Sequence, residues 1–151
     1  MKFMKNYFIK DATGNSDAFY PKKDIIFDKV FFTEFTKYAR VQKKNIRICC
    51  HKNKKSSLHS MINLMFNKNN EIIPHKHIYK DEIYNILQGE LEILLYGKIV
   101  KKIILNKKCP LLRVPKNTFH LVMAKSYLSI FHEIRNGPFL QNDSIYQKIK
   151  K

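Results

Sequence analysis

The stretch "EIIPHKHIYKDEIYNILQGE", residues 71–90, decides how the chain is read. It holds two histidines two positions apart, His75 and His77. Glu82 follows after four intervening residues and Gly89 after six more. In an extended strand, residues i and i+2 point to the same face. His75 and His77 therefore look the same way. Glu82 opens the next strand-like run and can turn its carboxylate toward the same space. Two neutral imidazoles and a carboxylate suit one divalent transition metal ion, such as Fe, Mn, Ni or Zn. A fourth ligand has to come from elsewhere. The segment "RVPKNTFHLVMA", residues 113–124, offers His120 at the start of a late strand, after a turn at Pro115.

Around these segments the chain has the texture of a β protein. From about residue 45 it breaks into "LHSMINLMF", "EIIPHKH", "EIYNILQG", "ELEILLYG", "KIVKKIIL", "PLLRVP", "FHLVMA" and "YLSIFHEI", runs of about six to nine residues split by turns. Such regular spacing predicts a sandwich or barrel. Gly89 in "QGE" and Gly97 in "YGK" are assigned to hairpin turns. Upstream, a Gly14–Ser16 turn and one short strand are expected in the first 28 residues. The segment "KVFFTEFTKYARVQK", residues 29–43, sets Phe31, Phe35, Tyr38 and Ala39 at helical spacing, with Thr33 as candidate cap. A barrel fills itself with its own strand residues. The apolar stripe of this helix must then bury itself on the barrel's outside or against a second subunit. The chain divides into an arm and helix at 1–44, a barrel at 45–140 and a basic tail at 141–151.

Length and composition set the bounds. A chain of 151 residues is one domain's worth, and 44% hydrophobic content supports one core. No run of eighteen apolar residues exists, so no membrane span is expected. The N-terminus lacks the apolar length and small-residue cleavage site of a signal peptide. Three cysteines without framework spacing read as reduced thiols, which fits the cytoplasm. The net charge of +17 is spread over scattered lysine pairs, such as Lys22-Lys23 and Lys107-Lys108, with no basic–aromatic motif. Nucleic acid is therefore not expected as a partner, and an anionic small molecule is.

The pattern H-x-H-x4-E-x6-G, followed by P-x-N-x2-H, resembles the two sequence motifs of the cupin superfamily. His75, His77, Glu82 and Gly89 match the first motif; Pro115 and His120 match the second. The resemblance implies a mainly β, cupin-type double-stranded β-helix (a jelly-roll barrel), here with a short N-terminal helix. It implies one metal ion held by His75, His77, Glu82 and His120, and often a homodimer. Asn69 and Asn117 stand where the motifs have glycines, and Asn is the next-best residue for a left-handed turn. Cys109 and Ala124 replace two further motif positions that do not ligate. A narrower likeness covers "RICCHKNKKSSLHSMI", "PHKH", "LLRVPKNTFH" and "FHEIRNGPF", about residues 46–139. These segments are similar to the WbuC family of cupin-fold metalloproteins, associated with bacterial O-antigen and surface-polysaccharide gene clusters.

Further residues are candidates for substrate contact. Arg47 and His51 lie four apart ahead of the core strands. They read either as a surface pair or as a pocket wall gripping an anion, for which a guanidinium fork is suited. Arg113 reads equally as a substrate clamp or an interior ion pair. Tyr84 is a candidate barrel-lining residue. Of His132 and Glu133 only one can face inward, and Glu133 is the candidate catalytic group, on the face of Ser129 and Phe131. His59 reads as a hydrogen-bonding core residue more readily than as a ligand. A Cys49-Cys50-His51 metal site is disfavoured because adjacent strand residues face apart. With the surface-polysaccharide context that the resemblance implies, the expected activity is isomerisation or epimerisation of a nucleotide-activated or phosphorylated sugar. Fe(II) oxygenation, metal-free acid–base work by the histidines and a non-catalytic sugar-binding module are the alternatives.

Overall fold

The computed structural model describes residues 2–11, 17–70 and 73–147. The Gly14–Ser16 turn, residues 71–72 and the last four residues lie outside them. In chain order the elements are α1 (Lys2–Tyr7), β1 (Phe8–Asp11), β2 (Asp17–Pro21), α2 (Lys29–Gln42), β3 (Ile46–Cys49), β4 (Leu58–Phe66), β5 (His75–His77), β6 (Glu82–Gln88), β7 (Leu91–Tyr96), β8 (Lys101–Leu105), β9 (Leu111–Val114), β10 (Phe119–Ala124), β11 (Leu128–Asn136) and β12 (Ser144–Tyr146). They form a seven-stranded sheet in the order β1-β2-β3-β4-β11-β6-β9 and a five-stranded sheet in the order β12-β5-β10-β7-β8. The protein is mainly β, as its runs of alternating residues predict.

Alternation along β4 and β11 creates two cores. Ile62, Leu64, Phe66, Leu128 and Ile130 face outward and pack with Phe31, Phe35 and Ala39 of α2 and with Phe8 and Phe19. Met65 and Phe131, on the opposite faces, join Ile86, Leu91, Ile93, Leu105, Val114 and Val122 between the sheets. The stripe on α2 is thus covered by the chain's own sheet. Phe35 is fully buried, stacked on Phe31 at 5.5 Å between ring centroids and edge-on to Phe19 at 6.1 Å. No second subunit is needed to bury it. Each such aromatic contributes about 1.5–3 kcal/mol.

Helix α2 starts one turn earlier than Thr33. Asp28 is its cap, its side chain accepting the Phe31 N–H at 2.8 Å, while Thr33 Oγ1 bonds back to the Lys29 carbonyl. The helix ends at Lys43 in a left-handed conformation. The arm is more structured than one strand: β1 pairs with β2, and β2 runs parallel to β3, extending the larger sheet. At the other end, β12 adds to β5, so the second sheet runs beyond residue 140.

Two glycines are explained by close backbone approach. Gly89 joins the two sheets rather than closing a hairpin, since β6 and β7 lie in different sheets. Its φ is +78°, and a Cβ would meet the Leu128 carbonyl oxygen at 2.7 Å. Gly137, in the "NGPF" segment, passes so close to residue 56 that a Cβ would overlap the Ser56 carbonyl oxygen. Asn117 takes the left-handed conformation expected of it, with φ 62°. Asn69 does not; it closes a 3-10 turn over Asn67–Asn69 and its amide donates to the Lys43 carbonyl at the end of α2.

Candidate metal centre

The site is assembled across both sheets. In β5, His75 and His77 share the inward face. His120 of β10 lies directly opposite His75 in register. Glu82, the first residue of β6, projects from the other sheet. His77, Glu82 and His120 are each 3% exposed or less. His75, Glu82 and His120 offer ligand atoms within 4.8 Å of one another. His77 joins them through Glu82: its Nε2 lies 2.9 Å from Oε1, and His120 Nε2 lies 2.9 Å from Oε2.

The other side of each ring is also specified. His120 Nδ1 lies 2.9 Å from the Thr118 carbonyl and His77 Nδ1 lies 3.0 Å from the Asp143 carboxylate. Both Nδ1 atoms therefore donate, which aims both Nε2 atoms at Glu82. A carbonyl or carboxylate behind the imidazole is the arrangement found behind metal-bound histidines. His75 Nδ1 is buried with no hydrogen-bond partner, a nitrogen left for something other than protein to satisfy. Burial, then the charge of His120, pushes His75 down to about 4, so it is a neutral imidazole at pH 7. This donor set fits a divalent transition metal.

The groups around Glu82 favour its charged form. Burial works to raise its carboxyl, but hydrogen bonds from His120 and His77 outweigh that and hold it well below the usual range. Burial works to lower His120, and the Glu82 carboxylate outweighs it, so His120 is raised. Tyr84 is fully interior; its hydroxyl donates to Glu82 Oε2 at 2.8 Å and lies 3.2 Å from His120 Nε2. Burial, then the Glu82 charge, pushes its phenol well above the ordinary value, so it stays a donor.

A polar chain leads from this cluster along the inside of the larger sheet. Arg135 Nη1 lies 3.2 Å from Glu82 Oε1, 3.1 Å from His77 Nε2 and 3.7 Å from Glu133 Oε1. Glu133 Oε2 accepts from Asn63 Nδ2 at 3.1 Å, and Asn63 Oδ1 accepts from Arg47 Nε at 3.2 Å. Of the sequence candidates, Tyr84, Glu133 and Arg47 thus sit in one connected system with the four proposed ligands. Arg113 does not. It lies outside the barrel on the edge strand β9, its side chain 65% exposed and paired to Asp81. Alternation decides this, because Val114 takes the inward position. His51 stands apart, stacked on His59 at 4.3 Å with Nδ1 against the backbone of Ser60. His132 faces the other way, 2.7 Å from Ser60 Oγ. Cys49, Cys50 and Cys109 are free, and Cys50 packs on the outer core.

Sequence reasoning missed Arg135, Asn63 and Asp143. The first two carried a signal. Arg135 is two residues past Glu133 and shares its face, and Asn63 is the one amide in the apolar half of β4. Asp143 carried none, lying in a segment that read as tail.

No family model matches the sequence, and no curated protein matches it. Solved structures match in shape. The capsular polysaccharide assembling protein CapF from Staphylococcus aureus superposes with a TM-score of 0.55 at 11% identity, over 70% of this chain and 32% of CapF. Oxalate decarboxylase from Lactobacillus farciminis gives 0.50 at 14% identity, over 60% of this chain and 27% of that one. The chain has the cupin fold. Procruciferin, an 11S globulin from Brassica napus, matches with a TM-score of 0.50 at 13% identity, over 60% of this chain and 23% of its own. A decarboxylase and a globulin on one cupin architecture mean that function must be argued from the site. The chain spans about a third of the length of CapF. Among the described residues, no helix is long and apolar enough to cross a membrane.

Proposed function

We propose that this cupin binds one divalent transition metal through His75, His77, Glu82 and His120 and acts on an anionic sugar, nucleotide-activated or phosphorylated, by isomerisation or epimerisation. The observation that carries the metal is the convergence of His75, Glu82 and His120 donor atoms within 4.8 Å, with one buried imidazole nitrogen unpaired. A bound metal would act as a Lewis acid toward a sugar carbonyl. The chain's own residues supply the rest. Tyr84 and Arg135 hold Glu82 in place. Glu133 is a carboxylate beyond the ligands, joined to them through Arg135, and is the group proposed to move a proton. Its presence favours an enzyme over a purely binding module. Arg47 and Arg135 supply the positive charge for an anionic substrate, and His51 lies at greater remove.

The surface-glycan context rests on the likeness of "RICCHKNKKSSLHSMI" and "FHEIRNGPF" to the WbuC family, and on the description of CapF as a capsular polysaccharide assembling protein. A direct test is to incubate metal-loaded protein with a panel of nucleotide-linked keto-sugars in deuterated water and follow the sugar protons by NMR. The proposal expects exchange at the carbon beside the carbonyl, abolished in Glu133→Gln. Tight sugar binding with no exchange would favour the binding module instead.

A further inference from the structure

We infer that Asp143 is a positioning residue for His77, and that through it metal binding and docking of the C-terminal strand β12 form one linked equilibrium. The inference rests on the proposed metal site and adds residues that the ligand motif does not contain.

Asp143 is 3% exposed and spends all of its acceptors on one short segment. Oδ2 lies 3.0 Å from His77 Nδ1, Oδ1 accepts the Tyr79 N–H at 2.9 Å, and the backbone carbonyl accepts the Ile78 N–H at 3.0 Å. The strand that follows covers the same two histidines. Ser144 pairs with His77 and Tyr146 with His75. Ser144 Oγ lies 3.2 Å from His77 Nδ1, and the Tyr146 ring stacks on His75 at 5.5 Å. A three-residue strand at the edge of the barrel therefore touches both ligands of β5.

The chemistry of imidazole gives these contacts a purpose. A neutral histidine binds metal through one nitrogen only if the proton sits on the other. A carboxylate at Nδ1 draws the proton there, fixes the ring's rotation and makes Nε2 a stronger donor. Without it, the Glu82 carboxylate 2.9 Å from Nε2 draws the proton to that side and takes away the lone pair a metal needs.

The same contacts make the strand responsive. β12 buries little apolar surface: Ile145 is 40% and Tyr146 57% exposed. Its docking depends on Asp143, on the β5 ladder and on the Gln147 N–H bond to the Pro74 carbonyl at 3.0 Å. Short edge elements of this kind open at low free energy. A metal that fixes His75 and His77 fixes the surface β12 docks on. By linkage, docking must then raise metal affinity by the same factor.

The test uses the full chain, wild type and Asp143→Asn, with zinc(II) as the probe. Chelator competition gives the zinc affinity. Imidazole nitrogen NMR gives the His77 tautomer, and hydrogen exchange gives protection of Ser144–Tyr146, Ile78 and Tyr79. The expected results are about 10–100-fold weaker zinc binding in Asp143→Asn, a metal-free wild-type His77 that carries a proton at Nδ1 and a variant in which the proton shifts toward Nε2, and zinc-dependent slowing of exchange across β12 that shrinks in the variant. A purely structural Asp143 would lower the melting temperature and leave affinity and tautomer unchanged, which would overturn the positioning role. The exchange arm needs no variant, so a variant that fails to fold does not block the test. Zinc binding to wild type with unaltered exchange in β12 would overturn the coupling alone. Wild type that binds no zinc would overturn the metal site and this inference with it.

Discussion

Strands β4 and β11 each have two faces that were built for different ends. On the outer face, Ile62, Leu64, Phe66 and Ile130 meet the aromatic stripe of α2 in a tightly packed apolar cluster. On the inner face of the same strands, Asn63, Glu133 and Arg135 run toward Glu82 and three histidines. The lesson is a division of labour one residue wide. Burial of charge costs stability unless every partner is in place. A barrel with a charged interior gains from a second, dry core laid against its outside, and the N-terminal 44 residues supply much of it.

Breaking the dry side should produce the largest effect. Phe35→Ala removes a fully buried ring and is expected to cost about 3–5 kcal/mol in denaturant unfolding, with zinc affinity of the folded protein unchanged. A loss of metal binding in folded Phe35→Ala would mean that the two faces are not separable. The wet side should answer in the opposite way. His75→Leu removes an imidazole whose Nδ1 has no protein partner, so stability should shift by less than about 1 kcal/mol in either direction. Because a lost outer-shell partner alone costs 10–100-fold, loss of a ligand should cost more than about 100-fold in metal affinity.

Acid should then distinguish the faces by chemistry. His75 and His59 are both held down to about 4, by burial and then by a neighbouring histidine. In the unfolded chain they protonate near 6.5. Between those values the unfolded state binds more protons, so metal-free protein should lose stability as pH falls from about 6.5 to about 4. His120 shifts upward, so its contribution is complete below 6.5 and does not oppose the loss. A flat melting temperature across that window would mean that the two histidines are not held neutral. The smallest effect is expected outside both cores. Arg113→Ala breaks an exposed pair with Asp81 and should change stability by no more than about 1 kcal/mol, leaving sugar and metal binding untouched.

Much of this was legible in the residues, and the failures have physical causes. The histidine pair, Glu82 and His120 were readable because a period of two and fixed turn lengths constrain where a strand side chain points. The α2 stripe was readable for the same kind of reason at a period of 3.6. Arg113 misled because its inward or outward sense depends on strand register, which the adjacent turn at Pro115 does not reveal. His51 misled because its partner, His59, is brought beside it by the fold rather than by spacing. Strand β12 was invisible, since three residues with one outward isoleucine carry no periodic signal and owe their place to β5 and Asp143. Even the helix cap at Asp28 was hidden by Thr33, another residue of capping type one turn too late.

The central claim is that the buried histidines and Glu82 hold a metal. The most direct measurement is an anomalous difference map from crystals of zinc-loaded protein, collected at the zinc edge. The account predicts one peak per chain, at about 2.0–2.2 Å from donor atoms of His75, His77, Glu82 and His120, with the Arg135 and Asp143 contacts kept around it. A map with no peak among these residues, and Glu82 still bonded directly to His77 and His120, would contradict it.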